Sequence, residues 1–475
     1  MIQLAQLLRQ GALRWPARLA VVGAETRTYG ELSEEAARFA GALRKAGVSP
    51  GDRVALSLRN GVEFLVSLFG TLSAGATVVP IAPQAPAREQ AFRLEHARCQ
   101  AWVTHATSEA VPVISPDARE APLELCAAPG GLALILYTSG TTGTPKGAAI
   151  THASLLSHTA ALVHHTLRLS SGDVVLAALP MIHSFGMRMT VFAPFFAGAR
   201  LALPPPGRFD ANASLATCAA EGVTWLPGVP TMFNAWGHTE GTPLSSLRWG
   251  LSAGAPLPQA TRERAERRLG AEVREGYGLT EATFSTIDRP GDGPPGTVGR
   301  PVWGVEIQLD GDPVGEIMVR GQNVMREYLD DPESTRAVFR EGWLRTGDLG
   351  TWEGGRLRVV DRLKDLILRG GHNVVPAKVE NVLAEYPDLQ SVAVVGRNDP
   401  HYGEEIVAVV VPTKAFALEA FAAFVQAEFG AANAPRELAL VDALPLGPSR
   451  KVLRRVLRTQ IEEGTLAPIR LPRGE

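Results

Sequence analysis

Short apolar runs alternate with segments of helical periodicity along the first part of the chain. Two of the helical segments cover residues 31–47 and 153–167, and Gly47 is a stop signal for the first of them. Strands that alternate with helices predict a mostly parallel sheet flanked by helices, and therefore an α/β fold. The apolar runs that we interpret as buried strands cover residues 53–60, 77–82, 132–137, 173–180 and 223–230.

The pattern changes near Asp361. Beyond it, short apolar strands and two helical segments, residues 377–387 and 417–429, follow one another closely. We place a domain boundary there. It divides the chain into a large N-terminal domain over residues 1–360 and a small α+β C-terminal domain over residues 361–475, whose length of about 115 residues is enough to fold alone.

The composition excludes several classes of protein. The chain has 475 residues, 45% of them hydrophobic, and its net charge of −2 gives no general attraction to nucleic acid. Cys99, Cys126 and Cys218 have no paired spacing, so we expect free thiols in the reducing cytoplasm and neither a disulfide nor a zinc site. The first residues, interrupted by two arginines, predict an amphipathic helix and not a signal peptide. No apolar run reaches the roughly 18 residues of a transmembrane segment.

Residues 136–147, LYTSGTTGTPKG, follow the predicted strand 132–137 directly. Glycines let the backbone surround an anion with N–H groups, and hydroxyls add further donors. Lys146 is one of only 6 lysines in a chain with 41 arginines. A lysine at this position therefore indicates that the site requires a compact ammonium group and not a planar guanidinium. The order Pro145-Lys146-Gly147 does not fit the Walker pattern. The segment predicts a different phosphate-binding loop, whose remaining members are Thr138, Ser139, Gly140, Thr141, Thr142, Gly143 and Thr144.

This loop and five further motifs in the same order resemble those of the adenylate-forming superfamily, which includes acyl-CoA synthetases, luciferases and peptide-synthetase adenylation domains. The resemblance implies a large N-terminal domain, a small mobile C-terminal domain and a reaction in two steps. A carboxylic acid and Mg·ATP give an acyl-adenylate and pyrophosphate, and a thiol then displaces AMP. The further motifs are PMIHSFG (180–186), YGLTE (277–281), LRTGD (344–348), DRLKDLILRGGHNVVP (361–376) and LGPSRKVLRR (446–455).

The expected cofactors are therefore ATP, Mg²⁺ and CoA, and the expected partner is a small carboxylic acid, with a homodimer left open. By resemblance, Tyr277 offers a flat face to adenine and Asp348 accepts hydrogen bonds from the ribose hydroxyls. Gly254 and Ala255 complete the nucleotide site, and Arg362 approaches the ribose or the phosphates. Taken alone, each of these residues also fits an ordinary turn or surface position.

Four more residues are assigned to the reaction by the resemblance. Thr280 bonds the α-phosphate, and Glu281 with Thr138 holds Mg²⁺, a hard cation that prefers oxygen ligands. His183 lies where the acyl carboxylate meets its pocket. Lys451 stabilises the charge of the adenylation transition state.

The small domain is expected to rotate between the two steps about Asp361, the residue before Arg362, because hinges usually lie at the ends of elements. Two positions depart from the family pattern. Arg450 stands where glycine is common, and Lys378 stands where glutamate is usual, although Glu380 is kept. We predict an ATP-dependent acyl-CoA synthetase, and the alternatives are an adenylating enzyme that loads a carrier protein and a degenerate acyl-nucleotide binding protein.

The resemblance places Phe185, Met189, Gly276 and Phe284 around the acyl group. These residues are apolar or small, and Gly276 stands where malonate-activating relatives are expected to carry arginine. We therefore predict a fatty or aryl acid as the substrate. Arg188 allows two interpretations, since it could bind a second carboxylate or face away from the pocket.

Overall fold

The computed structural model of the protein describes residues 3–108, 111–138, 145–362, 365–370, 372–430, 433–447 and 452–472. Several predicted site residues lie outside these ranges, namely Ser139, Gly140, Thr141, Thr142, Gly143, Thr144 and Lys451.

Helices occur throughout the described residues. In chain order, the α-helices are α1 Gln6–Arg14, α2 Tyr29–Lys45, α3 Val62–Ser73, α4 Ala87–His96, α5 His152–Ala161, α6 Ser184–Gly186, α7 Ala193–Ala197, α8 Ala211–Glu221, α9 Pro230–Gly237, α10 Gln259–Leu269, α11 Pro332–Val338, α12 Pro376–Leu383, α13 Leu418–Glu428 and α14 Arg454–Glu462. A 3-10 turn covers Pro129–Gly131, and π-helical segments continue α5 and α6 over Leu162–Leu167 and Met187–Phe192.

Strands alternate with these helices up to residue 287. Beyond that residue, strands follow one another with few helices between them. In chain order they are β1 Leu19–Gly23, β2 Arg27–Thr28, β3 Arg53–Leu56, β4 Thr77–Pro80, β5 Ala101–Val103, β6 Val113–Ile114, β7 Leu132–Thr138, β8 Lys146–Thr151, β9 Val174–Leu176, β10 Arg200–Leu203, β11 Trp225–Gly228, β12 Trp249–Ala253, β13 Val273–Tyr277, β14 Thr286–Ile287, β15 Arg300–Pro301, β16 Val305–Asp310, β17 Gly315–Gly321, β18 Glu327–Tyr328, β19 Phe339–Arg340, β20 Trp343–Glu353, β21 Arg356–Arg362, β22 Ile367–Arg369, β23 His372–Val374, β24 Leu389–Asp399, β25 Gly403–Pro412, β26 Glu437–Leu440 and β27 Ile469–Arg470.

Two large sheets form the N-terminal part. One has the strand order β15-β14-β13-β12-β11-β9-β10-β1-β2 and the other β18-β8-β7-β4-β3-β5-β6. Neighbouring strands run parallel from β13 to β1 in the first sheet and from β7 to β6 in the second. The α/β class predicted from the sequence is confirmed, and each of the five apolar runs contains one of these parallel strands.

Helix α3 is buried on all sides. Its residues Phe64, Leu65, Val66 and Leu68 are each 0% exposed, although successive residues point about 100° apart around a helix. They belong to one hydrophobic core that also includes side chains of strands from both large sheets. This shared core joins the two sheets into one unit.

Helix α2 shows how local sequence sets the ends of an element. Thr28 accepts a hydrogen bond from the backbone of Glu31, and the Glu31 side chain accepts one from the backbone of Thr28, which is a capping box. Past the other end, Gly47 has a φ of +92°, and its N–H donates to the carbonyl of Arg44. Glycine adopts this left-handed conformation without strain, so the predicted stop signal at Gly47 is confirmed.

Two further sheets follow. The strands β16, β17, β20 and β19 form an antiparallel sheet with β21 beside β20, and six strands from β22 onward form the last sheet. The chain passes from one sheet to the other between Arg362 and Ile367, just after Asp361. The two predicted helices of this part are α12 and α13. A third, α14, was not predicted from the sequence; it buries Leu457 and Ile461 against β24 and β25.

None of the helices within the described ranges combines the length and the apolar content that crossing a bilayer would need.

Candidate active site

Three of the predicted nucleotide residues, Gly254, Ala255 and Tyr277, lie at the carboxyl ends of two parallel strands. β12 ends at Ala253 and β13 at Tyr277, and Ala253 is paired directly with Gly276. Gly254 and Ala255, which follow β12, therefore lie beside the end of β13. Gly254 has a φ of +93°, a conformation that favours glycine. Open α/β sheets bind their ligands at this kind of edge.

Tyr277, Asp348 and Arg362 form one polar group. The Tyr277 hydroxyl donates to Oδ2 of Asp348 at 2.7 Å, and Nε of Arg362 lies 3.1 Å from Oδ1. Burial, and then the charge of Asp348, raises the pKa of Tyr277, so the phenol stays a protonated donor. Asp348 is only 5% exposed, and its two partners hold the carboxylate in one orientation. The structure thus brings the three residues together, and their roles toward the ribose and phosphates remain a prediction.

Tyr328 connects two motifs that are far apart in the sequence. Its hydroxyl donates to Oε1 of Glu281 at 2.7 Å, and its ring centroid lies 5.3 Å from Nζ of Lys146. Lys146 also donates to the hydroxyl of Ser334 at 2.6 Å, and the backbone N–H of Met325 donates to the carbonyl of Glu281 at 2.7 Å. The lysine of the predicted phosphate loop and the predicted magnesium carboxylate therefore flank a single tyrosine that the sequence analysis missed.

Thr280 and Glu281 lie in a tight turn. The backbone N–H of Leu279 donates to the carbonyl of Ala282 at 3.1 Å, and the reverse hydrogen bond measures 3.2 Å. This turn directly follows Tyr277, so the two predicted phosphate and metal residues lie next to the predicted adenine site.

The start of the predicted phosphate loop is anchored by strand pairing. Thr138, the last residue of β7, is paired with Lys146 at the start of β8, so the loop leaves and re-enters the sheet at adjacent positions. Within the described ranges no three histidine, cysteine, aspartate or glutamate side chains come together as metal ligands. A single carboxylate such as Glu281, with a hydroxyl such as Thr138, fits a Mg²⁺ ion that takes its other ligands from phosphates and water.

Replacement of Glu281 by glutamine is expected to lower pyrophosphate release by about tenfold or more, equivalent to about 1.4 kcal/mol of barrier. An amide is a weaker Mg²⁺ ligand than a carboxylate, whereas its oxygen still accepts the hydrogen bond from Tyr328, so the fold should persist. The measurement is pyrophosphate release at saturating Mg·ATP. Glu327→Gln, an exposed neighbour paired with Arg326, is the matched control. A Glu281→Gln rate equal to that of this control would contradict the assignment.

Asn60 holds the loop that carries His183. Its amide donates to the carbonyls of Ala177 at 3.1 Å and Leu179 at 2.7 Å, and its Oδ1 accepts from the N–H of Met181 at 2.8 Å. Asn60 follows β3 of one large sheet, and the loop follows β9 of the other. The Asn60 side chain thus fixes the backbone just before His183, which is half-buried. The sequence analysis did not identify Asn60.

Three of the four predicted acyl-pocket residues are in contact. The rings of Phe185 and Phe284 meet edge to face with centroids 5.0 Å apart. A Cβ at Gly276 would lie 3.1 Å from Cε1 of Phe284, so this glycine adjoins the same ring. Met189 is 0% exposed and lies one turn after Phe185. The result is an apolar wall with one small position.

Glu275, in β13, is hydrogen-bonded to the loop that contains Gly254 and Ala255. Its Oε1 accepts a hydrogen bond from the N–H of Leu257 at 2.8 Å, which holds the loop that begins at Gly254. Burial raises the pKa of Glu275 to about 7, against the opposing effects of this hydrogen bond and of Arg262. The carboxyl group is therefore partly protonated near neutral pH.

This shift predicts a pH dependence of stability. The folded-state pKa of Glu275, about 7, lies above the ordinary value of 4.5, so the native state binds this proton more tightly than the unfolded chain. The resulting stabilisation is fully present below about pH 4.5 and is lost as the pH rises through about 7. The melting temperature of Glu275→Gln relative to wild type should therefore increase between about pH 5 and about pH 8. Thermal unfolding at each pH tests this, and a constant difference would count against it.

Asp361, the predicted hinge, touches both parts of the chain. It lies in β21 and is 7% exposed. Its Oδ1 accepts from the N–H of Arg362 at 2.7 Å, and its Oδ2 accepts from the N–H of Ala377, in the first turn of α12, at 3.3 Å. Burial raises the pKa of this carboxyl group. The side chain thus joins the last strand of the large part to the first helix of the small part.

Glu380 pairs with Arg454 and so joins α12 to α14. Its Oε2 accepts from Nη2 of Arg454 at 2.6 Å, and its Oε1 accepts from the N–H of Val394 at 2.8 Å. Arg454 begins α14, three residues after Lys451 in the sequence. Lys378, the charge reversal on α12, is exposed and leaves this ion pair intact.

Comparison with known proteins gives matches over almost the whole chain. The AMP-binding enzyme family model matches residues 8–329, and the AMP-binding enzyme C-terminal domain matches residues 378–451. A feruloyl-CoA synthase of Amycolatopsis sp is 36% identical over 94% of this chain and 99% of its own length. A sulfoacetate–CoA ligase of Cupriavidus necator is 34% identical over 95% of this chain and 96% of its own. The ATP-bound structure of MatB from Rhodopseudomonas palustris has a TM-score of 0.88 and 29% identity, and the match covers 98% of this chain and 99% of that one.

Proposed function

Because this chain belongs to the family of AMP-binding enzymes, we propose that it activates an aromatic or other apolar monocarboxylic acid. The protein is an ATP-dependent, AMP-forming acid–CoA ligase. A carboxylate oxygen attacks the α-phosphorus of ATP, and pyrophosphate leaves. The CoA sulfur then attacks the acyl carbonyl carbon, and AMP leaves. The proposal concerns which acid the enzyme takes and which residues serve each step.

The observation that carries the proposal is the aromatic pair beside Gly276. The rings of Phe185 and Phe284 meet edge to face at 5.0 Å, and Phe284 is 3% exposed. Aromatic walls favour a planar or otherwise apolar substrate, because they offer large contact areas and no group that pairs with a charge. Gly276 lets the Phe284 ring pack directly against the backbone, because a Cβ there would lie only 3.1 Å from Cε1 of Phe284.

Arg188 does not compensate for this lack of charge. It is 1% exposed, and Nη1 donates to the Leu155 carbonyl at 2.8 Å and to the Thr159 hydroxyl at 3.0 Å. Nη2 donates to the Thr283 hydroxyl at 3.1 Å. The cavity beside Arg188 and Thr283 measures about 10 Å³ and has room for at most about one water molecule. Of the two interpretations of Arg188, the geometry supports the one in which it faces away from a second carboxylate of the substrate.

The relatives are named for two kinds of acid. Feruloyl-CoA synthase is named for an aryl acid, whereas sulfoacetate–CoA ligase and oxalate–CoA ligase are named for acids with a second anionic group. The apolar wall and the occupied Arg188 favour the first kind of substrate for this chain.

We assign the nucleotide to the strand-end site and the acid to the adjoining wall. Tyr277 and Asp348 serve adenosine, and Lys146 serves the phosphates. Thr280 and Glu281 serve the α-phosphate and Mg²⁺, which neutralises phosphate charge when bound. We assign His183, at the end of the loop that Asn60 fixes, to the junction between the nucleotide and the acid.

Two further parts of the proposal concern organisation. The domains are residues 1–360 and 361–475, supported by the change of sheet after Arg362. The location is the cytoplasm, supported by the free thiols of Cys99, Cys126 and Cys218, which are typical of reducing compartments.

A panel of acids tests the substrate class. Pyrophosphate release is measured with benzoic, ferulic, octanoic, malonic and sulfoacetic acids, and thioester formation is measured with CoA present. We expect turnover with one or more of the first three and at most background with the two acids that carry a second anionic group. Preferential turnover of malonic or sulfoacetic acid would contradict the proposal.

A further inference from the structure

Phe284 has an unusual backbone conformation for a bulky residue. Its φ is +45°, in the left-handed region, where a side chain with a Cβ is strained. The other non-glycine residues with positive φ among those described are Arg98, Arg168, Asp330 and Glu341. Phe284 is the aromatic one, and it is 3% exposed. Strain of this kind persists only where the surroundings enforce it.

The enforcing groups are the side chains of His158, Arg188 and Asn323. Nε2 of His158 donates to the carbonyl of Phe284 at 3.0 Å. Nη2 of Arg188 donates to the hydroxyl of Thr283 at 3.1 Å. Nδ2 of Asn323 donates to the carbonyl of Thr283 at 3.3 Å and to the hydroxyl of Ser285 at 3.1 Å. Hydrogen bonds to three consecutive residues thus surround the strained position.

These groups come from three separate parts of the fold. His158 lies on α5, Arg188 on the π-helical segment Met187–Phe192, and Asn323 in the loop after β17. All three are 0–1% exposed. Because the elements that carry them are packed in the core, they cannot follow a shift of the 283–285 backbone without a larger rearrangement.

The buried positive charge of Arg188 further restricts the positions that these side chains can take. Burial alone lowers the pKa of Arg188, to about 9, so the guanidinium remains protonated without a partner carboxylate in the described part of the chain. Burial and then the charge of Arg188 lower the pKa of His158. The imidazole is therefore neutral, and its proton is on Nε2, because the carbonyl of Phe284 can only accept. A buried cation held by neutral oxygens has few acceptable positions, since each lost acceptor leaves an unsolvated charge.

The strained residue is also the one that shapes the apolar wall. Its ring packs on Phe185, and Gly276 adjoins it. Arg188 follows Phe185 by three residues and precedes Met189. The same side chain therefore links the helix that carries one side of the wall to the loop that carries the other.

We propose that His158, Arg188 and Asn323 are specificity-determining positioning residues, which we call the Phe284 clamp. They hold Phe284 in its left-handed conformation, and this sets the width of the acyl pocket. The inference rests on the proposed function in one respect, namely that Phe284 borders the acid. A cluster that served stability alone would not alter the choice between acids.

Selectivity is measured as the ratio of kcat/KM for benzoic acid to that for 2-naphthoic acid. Arg188→Met, and Thr283→Val as a milder variant that removes only the acceptor, should change this ratio by about fivefold or more. The KM for ATP should stay within about twofold of wild type. Arg188→Lys, which keeps the charge and part of the donor set, should recover part of the selectivity.

Thr71→Val is the matched control. Thr71 is a fully buried threonine of α3. Thr71→Val therefore makes the same chemical change as Thr283→Val, but in a different element. It should leave the ratio of kcat/KM unchanged. If Arg188→Met and Thr283→Val also keep the wild-type ratio, or if the KM values for both acids and for ATP change together, the Phe284 clamp is overturned. If Arg188→Met does not fold, Thr283→Val decides.

A second measurement needs no substrate and so separates the clamp from the proposed function. Phe284→Gly and Phe284→Ala both remove the ring, but only alanine keeps the cost of a Cβ at positive φ. The glycine variant should therefore unfold at the higher temperature. The difference in melting temperature between the two variants should become smaller when Thr283→Val is added. This change removes the hydrogen bond from Arg188, so the backbone at residue 284 can relax. If the glycine and alanine variants differ by the same melting temperature with and without Thr283→Val, the Phe284 clamp is overturned, whether or not any acid of the panel is turned over. Absence of turnover by itself would count against the proposed function and not against the clamp.

Discussion

Replacement of Lys451 by alanine is expected to slow adenylate formation by about a hundredfold or more, because a preorganised charge stabilises the transition state at the α-phosphate. The same variant should still convert supplied acyl-adenylate and CoA into thioester at a rate close to that of wild type. The second step has a different requirement, since AMP leaves and the sulfur attacks a carbonyl. The two half-reactions are measured separately, with purified acyl-adenylate for the second.

Lys414→Ala is the matched control for this experiment. Lys414 is an exposed lysine of the same C-terminal part and lies outside every recognised motif. It should leave both half-reactions unchanged. If Lys451→Ala slows both half-reactions equally, the assignment of Lys451 to the first step alone is wrong.

Replacement of Asp361 by proline should have the opposite effect. Proline fixes φ, removes a backbone N–H and restricts the residue before it. We therefore expect adenylate formation to stay within about threefold of wild type and thioester formation to fall by about tenfold or more, because hinge residues absorb large changes of φ and ψ. Pyrophosphate release and thioester formation are followed in parallel.

Asp361→Asn separates the backbone effect from the side-chain effect. Asparagine keeps an oxygen that can accept from the N–H of Arg362 or Ala377, the two hydrogen bonds that Asp361 makes, and it leaves φ free. It should support both half-reactions far better than proline. Equal loss of the second half-reaction in both variants would show that the side-chain contacts matter and that rotation about residue 361 does not.

Local sequence determined the elements of this protein. The capping box at Thr28 and Glu31, the stop at Gly47 and the apolar runs of the parallel strands all act within a few residues of one another. Side-chain periodicity and end signals of this kind depend on the local backbone and hardly on what packs against it. The α/β class and the motif order were therefore readable without a structure. Helix α14 was missed, because its buried stripe of Leu457 and Ile461 is narrow and four of its nine residues are charged.

The recognised motifs also predicted the residues to which we assign the chemistry of the site. Tyr277, Asp348 and Arg362 were singled out from three separate motifs, and the structure places them within hydrogen-bond distance. The supporting residues were not found in this way. Tyr328 lies 47 residues from Glu281, and Asn60 lies 121 residues from Met181. A tyrosine or an asparagine has no distinctive local pattern, and its partner is set by how sheets and loops pack.

Arg188 shows most directly what only the tertiary structure decided. In the sequence it stands between Phe185 and Met189, and the spacing allowed it either to enter the acyl pocket or to face away. The choice depends on acceptors that come from elsewhere: the Leu155 carbonyl, the Thr159 hydroxyl and the Thr283 hydroxyl. A guanidinium buried without a carboxylate must be surrounded by such oxygens, and those oxygens are brought together only when α5 and the loop after β13 pack against the helix that carries it.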